Sequence, residues 1–187
     1  MLDWFKHRST VARKARELYG KVVTAARNPG FYGPGRVADT PEGRFDMIAL
    51  HLFLAAERAK TVEPGGQAIA QGAIEAFVMD MDDCMREMGV GDLTVPKRVK
   101  RAAAVFYERS GQIRELLANV PLSASPDTLA AWIKGTLLRE NSDAAFLPAL
   151  ASYIRASHDM LAQLSNDDIA AGRWEFANLP THAGISP

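Results

Sequence analysis

Apolar residues along this chain recur mostly at the spacing of a helix. Trp4, Val11, Ala15, Leu18, Val22 and Ala26 form one stripe, and most bases of the same stretch lie off it. Asn28-Pro29-Gly30 predicts a stop, and Phe31 to Ala38, with three Gly and Pro residues, predicts a loop. Asp39-Thr40-Pro41-Glu42 reads as a helix start. Asp39 with Glu42 three residues on fits a capping box, and Pro41 suits the first turn. The helix that follows, to about Lys60, is apolar nearly all round over Met47 to Ala56. Such a helix belongs at the centre of a bundle.

Glu63-Pro64-Gly65-Gly66 is a turn. The next helix carries Ala70, Ile74, Phe77, Met81, Cys84, Met85 and Met88 on one face, and Gly89 suits a left-handed cap at its end. Thr94 caps the following helix, whose stripe is Val95, Val99, Ala102, Ala103, Phe106, Ile113 and Leu117. After a break over Asn119 to Pro126, one helix carries Leu129, Trp132, Ile133 and Leu137. Another carries Leu147, Leu150, Ile154, Leu161 and Leu164, with Pro148 making its start uncertain or kinked. A short helix from Asp167 to Gly172 precedes a Pro/Gly-rich tail. No segment alternates as a half-buried strand does, and no repeat of fixed period is present. The prediction is a single all-α domain over residues 1–187, a compact bundle of six or seven helices with its core at about 15–155.

Composition narrows the class. The chain has 187 residues, 48% of them apolar and 24% charged, the profile of a soluble globular domain that needs no metal or disulfide to stand. Cys84 is the single cysteine, which excludes an internal disulfide and a multi-cysteine zinc site. The longest apolar run contains His51 and is about half the length a membrane span needs. The basic start has no signal-peptide pattern, and the chain is read as cytoplasmic. Net charge is zero, which gives DNA binding no support, but the charge is segregated. Residues 1–30 hold seven bases against two acids, 75–92 six acids against Arg86, and 95–116 six bases against two acids. Either oppositely charged helix faces neighbour each other, or a basic face lands on anionic lipid or ribosomal RNA.

Catalytic chemistry is hard to find. His7, His51, His158 and His182 have no second histidine at metal-ligand spacing. His51, on the most apolar helix, reads as a buried neutral histidine, with haem ligation the sharper alternative. Met79, Met81, Cys84, Met85 and Met88 offer soft ligands, yet the last four follow a plain core stripe. Such a methionine surface also suits varied apolar partners. Asp80, Asp82 and Asp83 lack the later ligands of a calcium loop, Phe31 to Gly35 is no phosphate loop, and Ser110 and Ser123 have no evident base.

Three stretches taken together are specific. The first is Leu18-Tyr19-Gly20 with Ala26-Arg27-Asn28-Pro29-Gly30-Phe31-Tyr32. The second runs from Val37 through Gly43-Arg44-Phe45-Asp46 to Ile48 and on to Leu50-His51. The third is Met79-Asp80-Met81-Asp82 with Arg86-Glu87-Met88-Gly89-Val90-Gly91-Asp92-Leu93-Thr94-Val95-Pro96-Lys97-Arg98. Their order resembles the ubiquinol–cytochrome c chaperone family, over roughly residues 15 to 155. The chain departs from the family pattern at Phe106-Tyr107-Glu108-Arg109, where Glu108 replaces an expected Gly, and at Leu137-Leu138-Arg139-Glu140-Asn141.

The resemblance implies a non-enzymatic assembly factor for the cytochrome bc1 complex, without a cofactor, that binds newly made cytochrome b at the inner-membrane face. A small partner protein and the ribosome are further implied partners. Residues expected toward client or partner are Phe31, Tyr32, Arg44, Asp46, Arg86, Asp92 and Lys97. Those expected toward membrane or ribosome are Arg13, Lys14, Arg16, Lys97, Arg98, Lys100 and Arg101. Trp4 and Phe5 join Phe31 and Tyr32 as apolar residues not clearly needed for the core, and so as candidate client surface. The competing reading of Arg44, Asp46, Asp80 and Asp92 is one internal ion-pair network. In it Arg44 pairs with Asp80, Asp83 or Asp92, and Asp46 pairs with a base of the first or fourth helix. The alternative functions are a haem-handling protein using His51 or the Met/Cys face, and an enzyme built on a polar pocket not visible in the sequence.

Overall fold

A stripe of small and branched residues sets the first packing contact. In the computed structural model, which describes residues 2–118, 126–138 and 143–180 (without the side chains of 2–8, 126 and 127), α1 spans Leu2–Ala26. Its Ala15, Leu18, Val22 and Ala26 are buried as the periodicity predicts. Helix α3, Gly66–Glu87, lies close against it: a Cβ on Gly72 would stand 2.8 Å from the Ala15 Cβ, so the small pair lets the helices approach. The side chains of Trp4, Phe5 and His7, together with Ser123, Arg139-Glu140-Asn141 and His182, lie outside the described residues.

Helix α2, Pro41–Lys60, packs against α1, α3, α4 and α6 and is central, as its apolar girth requires. Its cap is Thr40, not Asp39: the Thr40 hydroxyl accepts from the Gly43 N–H at 3.2 Å. The residue before a proline is pushed into extended backbone, and the cap position wants that conformation. Thr40 has it, with φ −125° and ψ 164°. The chain enters so tightly that a Cβ on Gly43 would lie 2.0 Å from the Ala38 carbonyl oxygen.

Helix α4 is Val95–Ala118, and α5 is Pro126–Ile133, continued by one wide turn over Lys134–Leu138. Helix α6, Phe146–Gln163, starts two residues before Pro148. The missing N–H therefore falls among first-turn donors that have no partner in the helix anyway, and Pro148 needs no kink. Ser165 caps the short α7, Asn166–Ala170. The described residues contain no strand, only one isolated bridge between Tyr32 and Val37. The all-α expectation is borne out.

Two expectations about the core are corrected. The tail after α7 belongs to it: Trp174 is buried, and the Phe176 ring meets His51 edge-on at 4.8 Å. Lys21 Nζ donates to the Trp174 carbonyl at 3.0 Å, and the Ala177 N–H donates to Ser157 Oγ at 3.1 Å. The core thus reaches past residue 155. Conversely, the Met/Cys stripe of α3 is a core stripe only as far as Met81, which is 7% exposed. Cys84 and Met88 are exposed and Met85 is half-buried, because the last turns of α3 extend past the layer that α1 and α2 cover.

Candidate functional site

The three specific stretches converge on one place. The first half of α2, the second half of α3 and the first half of α4 enclose an open groove of about 770 Å³, with Arg27 and Tyr32 at one end. Phe45 and Ile48 from α2 and Phe77 and Met81 from α3 form its inner wall, and Phe45 stacks on Phe77 at 5.3 Å between centroids. Cys84, Met85 and Met88 extend the apolar lining along α3. Around it stand Asp39, Glu42, Arg44, Asp80, Glu87, Arg98 and Arg109. An apolar floor with both charge signs at its edge accepts an amphipathic or apolar segment, and methionines let it fit more than one shape.

Among the described residues, Arg44, Asp80 and Asp92 each meet a different partner rather than one another, unlike the single network expected of them. Arg44 Nε donates to Asp39 Oδ1 at 2.6 Å, not to Asp80, Asp83 or Asp92, and its guanidinium lies 5.4 Å from the centre of the Tyr32 ring. Arg44 projects from the exposed side of the first turn of α2, so the nearest acid is the one just before the cap. Asp46 points inward and accepts from Arg109 of α4, one of the two helices expected to supply its base. Arg109 was not singled out from the sequence; its only signal was its place after Phe106-Tyr107 in the departing motif. Tyr19 donates to Asp80 Oδ2 at 2.6 Å, and burial, with that acceptor beside it, pushes the Tyr19 phenol up. Arg86 holds Asp82 at 2.6 Å and Asp92 at 2.5 Å on the surface.

Phe31, expected to be left over for a client, is instead 1% exposed. The 3₁₀ turn Pro29–Phe31 turns its ring into the core, where it meets His51 and Tyr153 edge-on. Tyr32 stays half-buried at the groove, its hydroxyl donating to the Ala26 carbonyl at 2.6 Å. Lys97, Arg98, Lys100 and Arg101 are exposed on α4, and of these Arg98 lines the groove. On α1, Arg16 is exposed, Lys14 is half-buried, and exposed Arg13 pairs with Glu17 at 2.6 Å.

His51 is fully buried with both ring nitrogens engaged: Nδ1 lies 2.7 Å from the Met47 carbonyl and Nε2 2.6 Å from the Tyr153 hydroxyl. The carbonyl can only accept, so Nδ1 carries the proton and Tyr153 donates to Nε2. Burial lowers the imidazole pKa to about 4, against the opposing effect of the hydrogen bond that the ring donates to the Met47 carbonyl. No lone pair remains for a haem iron. Partial burial and the carboxylates of Asp80, Glu87 and Asp83 push the Cys84 thiol up, away from the thiolate a soft metal prefers. Ser110 donates to its own helix at the Phe106 carbonyl, 2.7 Å away. Among the described residues no group of three or more His, Cys, Asp and Glu side chains is placed to hold a metal ion, and no helix is long and apolar enough to cross a membrane.

The family described as Ubiquinol-cytochrome C chaperone matches residues 35–176, which include most of the groove. The crystal structure of the Cbp3 homolog from Brucella abortus is similar to this chain, with a TM-score of 0.81 and 32% sequence identity over 95% of this chain and 97% of that one. No curated protein matches the sequence.

Proposed function

We propose, from the premise that this chain belongs to the ubiquinol–cytochrome c chaperone family, that it is a non-enzymatic assembly chaperone of the cytochrome bc1 complex. It holds newly made cytochrome b in the groove between α2, α3 and α4, on the cytoplasmic side of the membrane.

The observation that carries this reading is the exposed continuation of the α3 methionine face. A helix end that leaves Met88 56% exposed gives up burial that folding would otherwise use. That arrangement makes sense where a partner covers the face. A membrane protein offers such a partner apolar helices that water would otherwise aggregate. The charged rim keeps the empty groove soluble and separates it from neighbouring copies. The paired state of Arg44 and Arg109 fixes the rim, so that the client meets a preformed edge. The bases of α1, Arg13, Lys14 and Arg16, give this reading one contribution to contact with the anionic membrane surface or the ribosome.

Deleting the gene and recording a haem spectrum of the membranes tests the broad role. Loss of the bc1 b-type haem signal, with other cytochromes retained, is expected; an unchanged spectrum would overturn it. Co-purification of cytochrome b with the full chain, compared with a Met88→Asp variant, tests the groove.

A further inference from the structure

Leu93, in the connection between α3 and α4, is 98% exposed. One exposed leucine means little by itself. Here, however, Met88, the residue that follows α3, is exposed at the same tip, while the other large apolar residues exposed among the described ones, Met79, Tyr107 and Met160, lie further along α3, α4 and α6. Just beyond Leu93, the first turns of α4 present Lys97, Lys100 and Arg101. Their i, i+3, i+4 spacing puts them on one face. All three are exposed and have no ion-pair partner among the described residues. The carboxylate beside the leucine, Asp92, is drawn back to Arg86, which also holds Asp82. Asp83 and Glu87 remain on the α3 side, so the basic face of α4, not the net charge of the tip, decides which side can meet an anion.

We propose that this tip is a membrane anchor. Leu93 enters the boundary between headgroups and acyl chains of an anionic bilayer, and Lys97, Lys100 and Arg101 lie against the lipid phosphates. A bilayer rewards both features at once, apolar burial at the tip and cation–phosphate attraction beside it. RNA would reward the bases but gains nothing from an aliphatic side chain held out in solvent. Met88 lines the groove five residues before Leu93, so the anchor sets one end of the groove beside the bilayer. That last consequence rests on the client-binding reading; the anchor itself does not.

The test is sedimentation of the full chain with vesicles of phosphatidylcholine alone or mixed with phosphatidylglycerol. Binding is expected only to the anionic vesicles and should fall with salt. The triple variant Lys97→Gln, Lys100→Gln, Arg101→Gln should bind about a hundredfold more weakly. Leu93→Ser should cost about tenfold at unchanged charge. In a Leu93→Trp variant, the added fluorescence should shift to the blue on anionic vesicles. All four positions are exposed, so circular dichroism and melting should not change. Binding indifferent to Leu93→Ser would mean a polyanion contact without insertion and would overturn the anchor. So would retention of ribosomal RNA without retention of anionic vesicles. Cytochrome b capture in detergent should survive Leu93→Ser, so a failed client reading and a failed anchor give different results.

Discussion

Asp46 of α2 and Arg109 of α4 stand 63 residues apart in the chain and form an ion pair whose carboxylate is only 4% exposed. The pair fastens α4 to α2 at the wall of the groove, where both residues line it. Arg109 helps to neutralise a carboxylate that water scarcely reaches, so losing it costs more than losing a surface partner. Arg109→Ala should therefore lower stability by about 2–4 kcal/mol, the upper end being moderated by the partial exposure of the arginine. Arg44→Ala, by contrast, breaks a surface pair with Asp39 and should leave the melting temperature nearly unchanged. Urea melts of the two variants side by side check the contrast, and equal losses would mean that the burial of Asp46 is not what holds α4.

How much of this was legible beforehand follows from what periodicity can carry. Ala15, Leu18, Val22 and Ala26, and the apolar girth of α2, repeat at helical spacing, so the bundle and its central helix could be read directly. Trp174 and Phe176 are single apolar residues in an irregular segment, and nothing in their spacing says that they close over His51. The same stripe that rightly placed Met81 inside wrongly placed Met88, because periodicity gives a face and not the point where its cover ends. Charge partners were the least legible. Arg44 had three candidate acids, Asp80, Asp83 and Asp92, and it meets none of them, because the entry of α2, set by Thr40 and Gly43, brings it to Asp39.

His51 makes stability depend on pH. Its imidazole titrates near 4 in the folded chain because burial opposes the charge, whereas the unfolded chain offers the ordinary value of about 6.5. Between those values the unfolded chain binds a proton that the folded one refuses, so acidification favours unfolding. The loss should grow from about pH 6.5 downward and approach about 3 kcal/mol near pH 4, with no contribution from this group above about pH 7. Denaturant midpoints across that range should show the slope. His51→Gln should flatten it while lowering stability throughout, since the Tyr153 hydroxyl keeps at best a poorer acceptor. A slope that survives the substitution would assign the pH dependence to another group.

The basic face of α1 should contribute to attachment, though less than the number of its bases suggests. Arg13 is already paired with Glu17, and Lys14 is half-buried beside Glu17 and Trp174 in a cleft. Charge reversal at Arg13, Lys14 and Arg16 should weaken sedimentation with anionic vesicles or ribosomes, most visibly at low salt. The drop should be smaller than that from reversing the unpaired Lys97, Lys100 and Arg101. An equal or larger drop would move the main contact to α1, and no drop would leave its bases as a solvated face.

Met81 and Met88 lie seven residues apart on one face of α3 and separate folding from client capture. Met81 is 7% exposed and packs with Phe77 in the core, so Met81→Ala should cost about 2–4 kcal/mol through lost contacts and the cavity left behind. Met88 is 56% exposed, and a charge there enters no core. Met88→Asp should melt like the parent chain yet place a carboxylate inside the apolar lining, where an apolar client segment would have to desolvate it. Cytochrome b should then fail to co-purify. Met88→Leu keeps the apolar surface and loses only the thioether's adaptability, so it should retain most of the capture. If Met88→Asp captured the client as well as the parent does, the groove would not be the client's seat, and the exposed end of α3 would need another occupant. If it failed to fold, the face would be structural after all, and Met88→Leu capture alone could not rescue the assignment.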